Sequence, residues 1–204
     1  MIGDVYERAL AGLLRAEIEY ADGRRAPLRV ERWFRAIPGD DTLLDRCAGP
    51  TLDVGSGPGR LTVALAERGL PALGIDITPY AVELTRAAGG LALRRDVFGR
   101  VPGAGRWRTV VLADGNVGIG GDPGALLRRV AQLVGVRGRA LVEVRPPGSP
   151  ARFEIVRLRT GRRAGPWFRW AYVGVDAIEE VAGGAGLAIE EIWTAGGRWF
   201  AALN

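Results

Sequence analysis

From residue 51 onward the chain repeats one arrangement four times. A short apolar run stops on or beside an aspartate, and a loop follows: "TLDVG" (51–55), "ALGID" (72–76), "LALRRD" (91–96) and "RTVVLAD" (108–114). Runs of four or five apolar residues bounded by glycine read as strands buried on both faces. Between them stand segments of helical periodicity. Residues 58–68 carry Leu61 and Leu65 on one side, residues 79–88 open with Pro79, and residues 123–134 place Leu126, Leu127, Val130 and Val134 on one face. Pro79 suits a first helical turn, and Asp122 followed by Pro123 suits an N-cap and first residue. A fifth run, "RALVEV" (139–144), completes the series. Strands alternating with helices predict a mostly parallel sheet covered on both faces.

The flanks read differently. Residues 2–20 keep helical spacing through Val5, Ala9, Leu10, Leu13, Leu14 and Ile18, residues 21–39 are broken by glycine and proline, and Asp41 is placed to cap a short helix to Cys47. After "RPPGSP", residues 152–160 and 167–173 predict a hairpin around "TGRRAG". A helix is expected over 176–185. The segments "LAIEEIW" and "RWFAAL" then flank the turn "TAGG" as an antiparallel pair. At 204 residues and 48% hydrophobic content the chain suits one sizeable core. The expectation is one domain over 1–204, with a helical cap at 1–48, a core from 49 to 204 and a hairpin insertion at about 152–173.

Composition removes several chemistries. All 28 basic side chains are arginine, and histidine is absent. High-GC bacterial coding gives such a balance. Neither a histidine general base nor a Schiff-base lysine is available. The net charge of +5 permits an anionic partner. Cys47 is alone, so no internal disulfide forms. The opening "MIGDVYERAL" lacks a signal-peptide pattern, and no apolar run reaches membrane-spanning length. A soluble cytoplasmic protein without a metal site is expected.

The strongest motif is "LDVGSGPGR", with glycines at 55, 57 and 59. They let the backbone turn tightly and approach a ligand, and the helix that follows offers its amide end. The dinucleotide fingerprint needs its third glycine one step later, where Arg60 stands, which counts against an NAD-dependent reductase. Open parallel sheets bind ligands outside the carboxyl ends of their strands, so Asp53, Asp76, Asp96 and Asp114 are expected along one edge. Asp76, 23 residues after Asp53, falls at the interval that hydrogen-bonds a ribose hydroxyl.

From about Thr51 to Val144 these features resemble the class I S-adenosylmethionine-dependent methyltransferases. "DVGSGPG" resembles that family's motif I, "GID" its acidic second-strand end, and "RRDVF" its adenine-side loop. The resemblance implies a Rossmann-like doubly wound sheet of seven strands in the order 3-2-1-4-5-7-6, the last antiparallel. It implies S-adenosylmethionine as cofactor, with Gly55, Ser56, Gly57 and Gly59 against its methionine part and ribose. It further implies Asp76 on the ribose hydroxyls, Ile77 beside the adenine, Asp96 with Val97 near the adenine amino group, and Asp114 and Gly115 at the methionine end.

Beyond the fourth strand runs "LADGNVGIGGDP" (112–123). Its glycines are expected to let the loop pass close to a substrate or move over it. Asn116 is a candidate to orient the acceptor, Glu143 a candidate base, and Arg145 a candidate anchor for an anionic substrate group. No Asn/Asp-Pro-Pro-aromatic motif is present, which weakens DNA adenine or glutamine-amide methylation. Arginines interleave with Trp167, Phe168, Trp170 and Tyr172. Packing of the aromatics on one strand face, with Arg162 and Arg163 on a solvated turn, is preferred to nucleic-acid binding. Trp33 in "ERWFR" reads equally as lid or anchor. A small-molecule methyltransferase is the leading expectation. An RNA or protein methyltransferase using the arginine-rich hairpin is the alternative, as is a non-catalytic S-adenosylmethionine-binding protein.

Overall fold

A computed structural model describes residues 3–161 and 163–204; Arg162 therefore lies outside the described residues. The first departure from expectation is at the amino end. Helix α1 spans only Asp4–Leu10. Strand β1 (Glu17–Tyr20) and strand β2 (Arg25–Pro27) follow as a hairpin, so the expected helical cap is largely a sheet. Gly12 ends the helical run with φ 71°, a left-handed turn that costs glycine little. Helix α2 (Asp40–Leu44) comes next. Its N-cap is Gly39, not a side chain, and Asp41 stays exposed beside Arg68. Asp40 folds back instead, accepting the Ile37 amide at 2.9 Å.

The repeating region builds the main sheet. Strand β3 (Thr51–Val54) leads to helix α3 (Arg60–Glu67), and β4 (Ala72–Asp76) to α4 (Pro79–Ala87). Strands β5 (Ala92–Arg94) and β6 (Trp107–Leu112) precede α5 (Pro123–Leu133), capped by Asp122, whose carboxylate accepts the Ala125 amide. Strand β7 (Val134–Val144) starts directly at the end of α5, earlier than expected. An excursion follows: β8 (Arg152–Thr160), β9 (Arg163–Ala164) and β10 (Phe168–Tyr172). Helix α6 (Ile178–Gly183) then returns the chain to β11 (Ile189–Ala195) and β12 (Arg198–Leu203).

Seven strands hydrogen-bond in the order β11-β12-β7-β6-β3-β4-β5. This is the expected order, and β12 runs antiparallel to both neighbours. Side chains alternate across the sheet. Val110, Leu112 and Val142 pack with Leu126, Leu127 and Ile178 on the α5–α6 face. Val111 and Leu141 pack with Leu43, Leu65 and Phe200 on the α2–α3 face. Burial on both faces is why these strands read as unbroken apolar runs.

A second, antiparallel sheet runs β10-β8-β1-β2, with β9 on β8. The hairpin insertion is thus half of a sheet whose other half comes from the amino end, Ile18 pairing with Leu158 and Tyr20 with Val156. Helix α1 packs on this sheet through Val5, Ala9 and Leu158. Bridges at Ile119–Trp170 and Arg145–Gly174 tie it to the carboxyl edge of the main sheet. Among the described residues no helix is long and apolar enough to cross a membrane.

Candidate active site

The two sheets enclose a cavity of about 750 Å³ at the carboxyl ends of β3, β4 and β6. Its floor is the glycine loop after β3. The amides of Gly55 and Ser56 donate to Ile75 O at 2.8 and 3.1 Å, holding the loop against β4. The Gly57 amide donates to Asp76 Oδ2 at 3.1 Å, and the Thr78 amide to Asp76 Oδ1 at 2.8 Å. Asp76 therefore fixes the loop while facing the cavity. Gly57 adopts φ 54°, and a Cβ placed there would meet nothing nearer than the Tyr6 hydroxyl at 3.9 Å. The space over Gly57 is open.

The expected strand-end carboxylates divide. Asp53, Asp76, Asp96 and Asp114 all line the cavity, with Ile77, Val97 and Gly115. Asp53 also accepts the Thr62 hydroxyl at 2.7 Å, and burial pushes its carboxyl up to about 6. Burial raises Asp76 and Asp114 as well. Asp96 is exposed and turns its carboxylate to the Phe98 amide. Gly59 is not brought to the cavity wall. A Cβ there would stand 2.7 Å from the Thr85 hydroxyl, so this glycine serves the packing of α3 on α4.

Sequence reasoning missed Tyr6. Helix α1 aims its phenol at the floor, its ring tilted on Trp33 at 6.0 Å. Burial first, then the charges of Asp76 and Asp114, raise its pKa, so it stands as a protonated phenol. One aromatic on a seven-residue amphipathic helix gives no signal beyond core packing.

The substrate-side candidates are changed by a buried ionic network. Arg198 donates to Glu143 through Nε at 2.9 Å and Nη2 at 2.7 Å, and to Asp40 at 2.7 Å. Arg60 bridges Asp40 and Asp114. Glu143 also accepts the Asp114 amide. Both its oxygens are engaged, so Glu143 is a structural anion rather than a free base. Asp114, at φ 55°, is the one non-glycine residue with left-handed backbone among those described. Asn116 is likewise diverted: its amide nitrogen donates to Val54 O at 2.9 Å and Gly55 O at 3.0 Å, clamping the glycine loop.

The opposite wall comes from the second sheet. Ile18, Tyr20, Val156, Leu158, Phe168 and Trp170 face the cavity. Of the glycines beyond Asp114, Gly115 and Gly120 line the cavity, while Gly118 and Gly121 serve this wall. A Cβ on Gly118 would lie 2.1 Å from Ala171 O, and one on Gly121 2.4 Å from the Arg169 Cβ. They admit β10, not a substrate. Trp33 lines the cavity. The arginines at 157 and 159 pair with Glu19 at 2.7 and 3.1 Å.

The fold is that of the S-adenosylmethionine-dependent methyltransferases. A crystal structure of such a protein from Bacteroides fragilis, in complex with S-adenosyl-L-homocysteine, aligns with a TM-score of 0.82 at 22% identity, covering 100% of this chain and 93% of that one. The didemethyltoxoflavin N1-methyltransferase of Burkholderia thailandensis aligns at 0.59 and 18% identity, covering 80% of this chain and 74% of that one. In sequence, 44 residues are 41% identical to an ATP synthase lysine N-methyltransferase of Rattus norvegicus. That match spans 22% of this chain and 20% of the rat protein. No protein-family profile matches the chain.

Proposed function

We propose that this chain is an S-adenosylmethionine-dependent methyltransferase acting on a small molecule in the cytoplasm, residues 1–204 working as one domain. The observation that carries the reading is the glycine loop, pinned to Asp76 and opening over Gly57 into the cavity. When bound, the cofactor supplies a methyl group on a sulfonium and brings an ammonium. The residues present fit it. Asp76 would accept the ribose hydroxyls, Ile77 and Val97 would hold the adenine with Asp96 toward its amino group, and Gly55, Ser56 and Gly57 would give the methionine part a floor without side-chain bulk. Asp53 would offset positive charge, the Asp114 carboxylate being already paired with Arg60. Tyr6 borders the open space over Gly57 and would help exclude water once that space is filled, which favours a transfer that disperses charge. Alignment of nucleophile and methyl supplies the larger share of the acceleration.

A small acceptor is favoured over RNA because the hairpin arginines 157 and 159 are both engaged by Glu19, which offsets one of their two charges. The enclosed cavity has the volume of a small-molecule site. Calorimetry tests the reading. S-adenosylhomocysteine is expected to bind, Asp76→Ala to weaken it by about 1.5–3 kcal/mol, and NADH not to bind comparably. Unchanged affinity in a folded Asp76→Ala protein overturns the placement.

A further inference from the structure

We infer that the acceptor is a flat aromatic molecule bearing a carboxylate, its ring against the second sheet and its carboxylate on Arg145; the inference rests on the methyltransferase reading. The wall facing the glycine loop is apolar and aromatic. Val156 lies between Tyr20 and Phe168 in the register of β1, β8 and β10. Trp170 meets Phe168 edge to face at 6.3 Å and 85°. Rings held in this way offer a rigid surface on which a flat molecule stacks.

One cation on this wall is prepared and uncompensated. The Arg145 guanidinium lies 3.9 Å over the Tyr172 ring. The Tyr172 hydroxyl is held at 3.0 Å by that of Tyr20. The Arg145 backbone is fixed by bonds to Val173 O at 2.8 Å and from the Val175 amide at 2.9 Å. Arg60, the buried arginine of the cavity wall, is saturated by Asp40 and Asp114, and Arg198, its neighbour in the ionic network, by Asp40 and Glu143. Arg152, also near Tyr172, pairs with Glu154. Arg145 has no carboxylate partner among the described residues. A guanidinium stacked on a ring keeps its N–H edge free, and that edge matches a carboxylate bidentately. Arg29, Arg32, Arg95 and Arg169 also reach the cavity but have no ring beneath them among the described residues. Arg145 alone of these combines position, support and unpaired charge, and one guanidinium suits a monoanion.

Binding to protein saturated with S-adenosylhomocysteine tests this with naphthoate, naphthamide and cyclohexanecarboxylate, followed by calorimetry and tryptophan fluorescence. Naphthoate is expected to bind about 10–100-fold more tightly than naphthamide, the worth of a charge-assisted contact, and more tightly than cyclohexanecarboxylate. Arg145→Met keeps an apolar stem on Tyr172 and is expected to abolish the acid-over-amide preference while naphthamide and S-adenosylhomocysteine bind as before. Equal binding of acid and amide, a preference surviving in Arg145→Met, or no binding of any probe overturns the inference. In each of those cases retained S-adenosylhomocysteine affinity leaves the methyltransferase reading standing, whereas loss of that affinity in the unaltered protein removes the reading itself.

Discussion

Asp53 gives the sharpest quantitative test. It is 2% exposed at the end of β3 and holds the Thr62 hydroxyl. Burial lifts its pKa from the ordinary 3.8 to about 6; Thr62 and Arg60 pull it back, and Asp114 and Asp76 push it up. Between those two values the folded chain binds a proton that the unfolded chain does not. This group's contribution therefore rises as pH falls from about 6 to 3.8 and is least favourable above 6. At about 1.4 kcal/mol per pH unit the gap corresponds to about 3 kcal/mol. Asn is nearly isosteric, and its carbonyl still accepts from Thr62. Asp53→Asn is expected to be more stable than the unaltered chain by up to about 3 kcal/mol at pH 8, the advantage fading by pH 4. Urea unfolding at stepped pH, taken as the difference between the two proteins, isolates this carboxylate from the others. A variant less stable at pH 8, or a difference independent of pH, refutes the argument. With Asp53 facing the cofactor as proposed, the variant should also bind S-adenosylhomocysteine more weakly.

Arg198→Met strands Glu143 without a cation, leaves Asp40 to Arg60 alone, and should lower stability by about 3–5 kcal/mol. Adding Glu143→Gln should recover part of the loss in urea unfolding, and a loss under about 1 kcal/mol would falsify the network's structural role. Gly57→Val should fold, with about 1–2 kcal/mol of backbone strain, yet lose S-adenosylhomocysteine binding by more than about 100-fold; retained binding makes the glycine only a turn. Asn116→Ala removes the clamp on Val54 and Gly55 and should weaken S-adenosylhomocysteine about tenfold. Unchanged affinity with slower turnover would return Asn116 to the acceptor side.

The main sheet was legible because its central parallel strands, β3, β4 and β6, are largely buried on both faces and end within two residues of a glycine or aspartate, a signal contained within a few residues. Half of the second sheet was legible as well, in the hairpin expected over 152–160 and 167–173; its amino-terminal half was not. "EIEY" has strand alternation, and "ADG" after it is a turn, yet four residues cannot outweigh the helical spacing that runs from Val5 to Ile18. The pairing that stabilises β1 lies on β8, well over a hundred positions away. At the site, the glycine loop and Asp76 could be read because backbone geometry demands those residue types. The roles of Glu143 and Asn116 could not, because they depend on Arg198 and on two carbonyls that only the folded chain brings near. Nothing in "GGRWF" marks Arg198 as buried.

The mixed parentage of the second sheet has a consequence for synthesis. Glu17 leaves the ribosome long before Arg159, its partner on β8. At about 5–20 residues per second the gap is roughly 7–30 s, during which β1 and β2 have no neighbouring strand beyond each other. A two-stranded hairpin is marginal in water. The glycine loop, by contrast, can dock on β4 as soon as Ile75 and Asp76 emerge. The nascent chain thus acquires its floor early and its ceiling late, and the cavity exists only after β10 has been made. Until then Ile18 and Tyr20 depend on the charges around them, Glu17, Glu19, Arg24 and Arg25, to stay in solution.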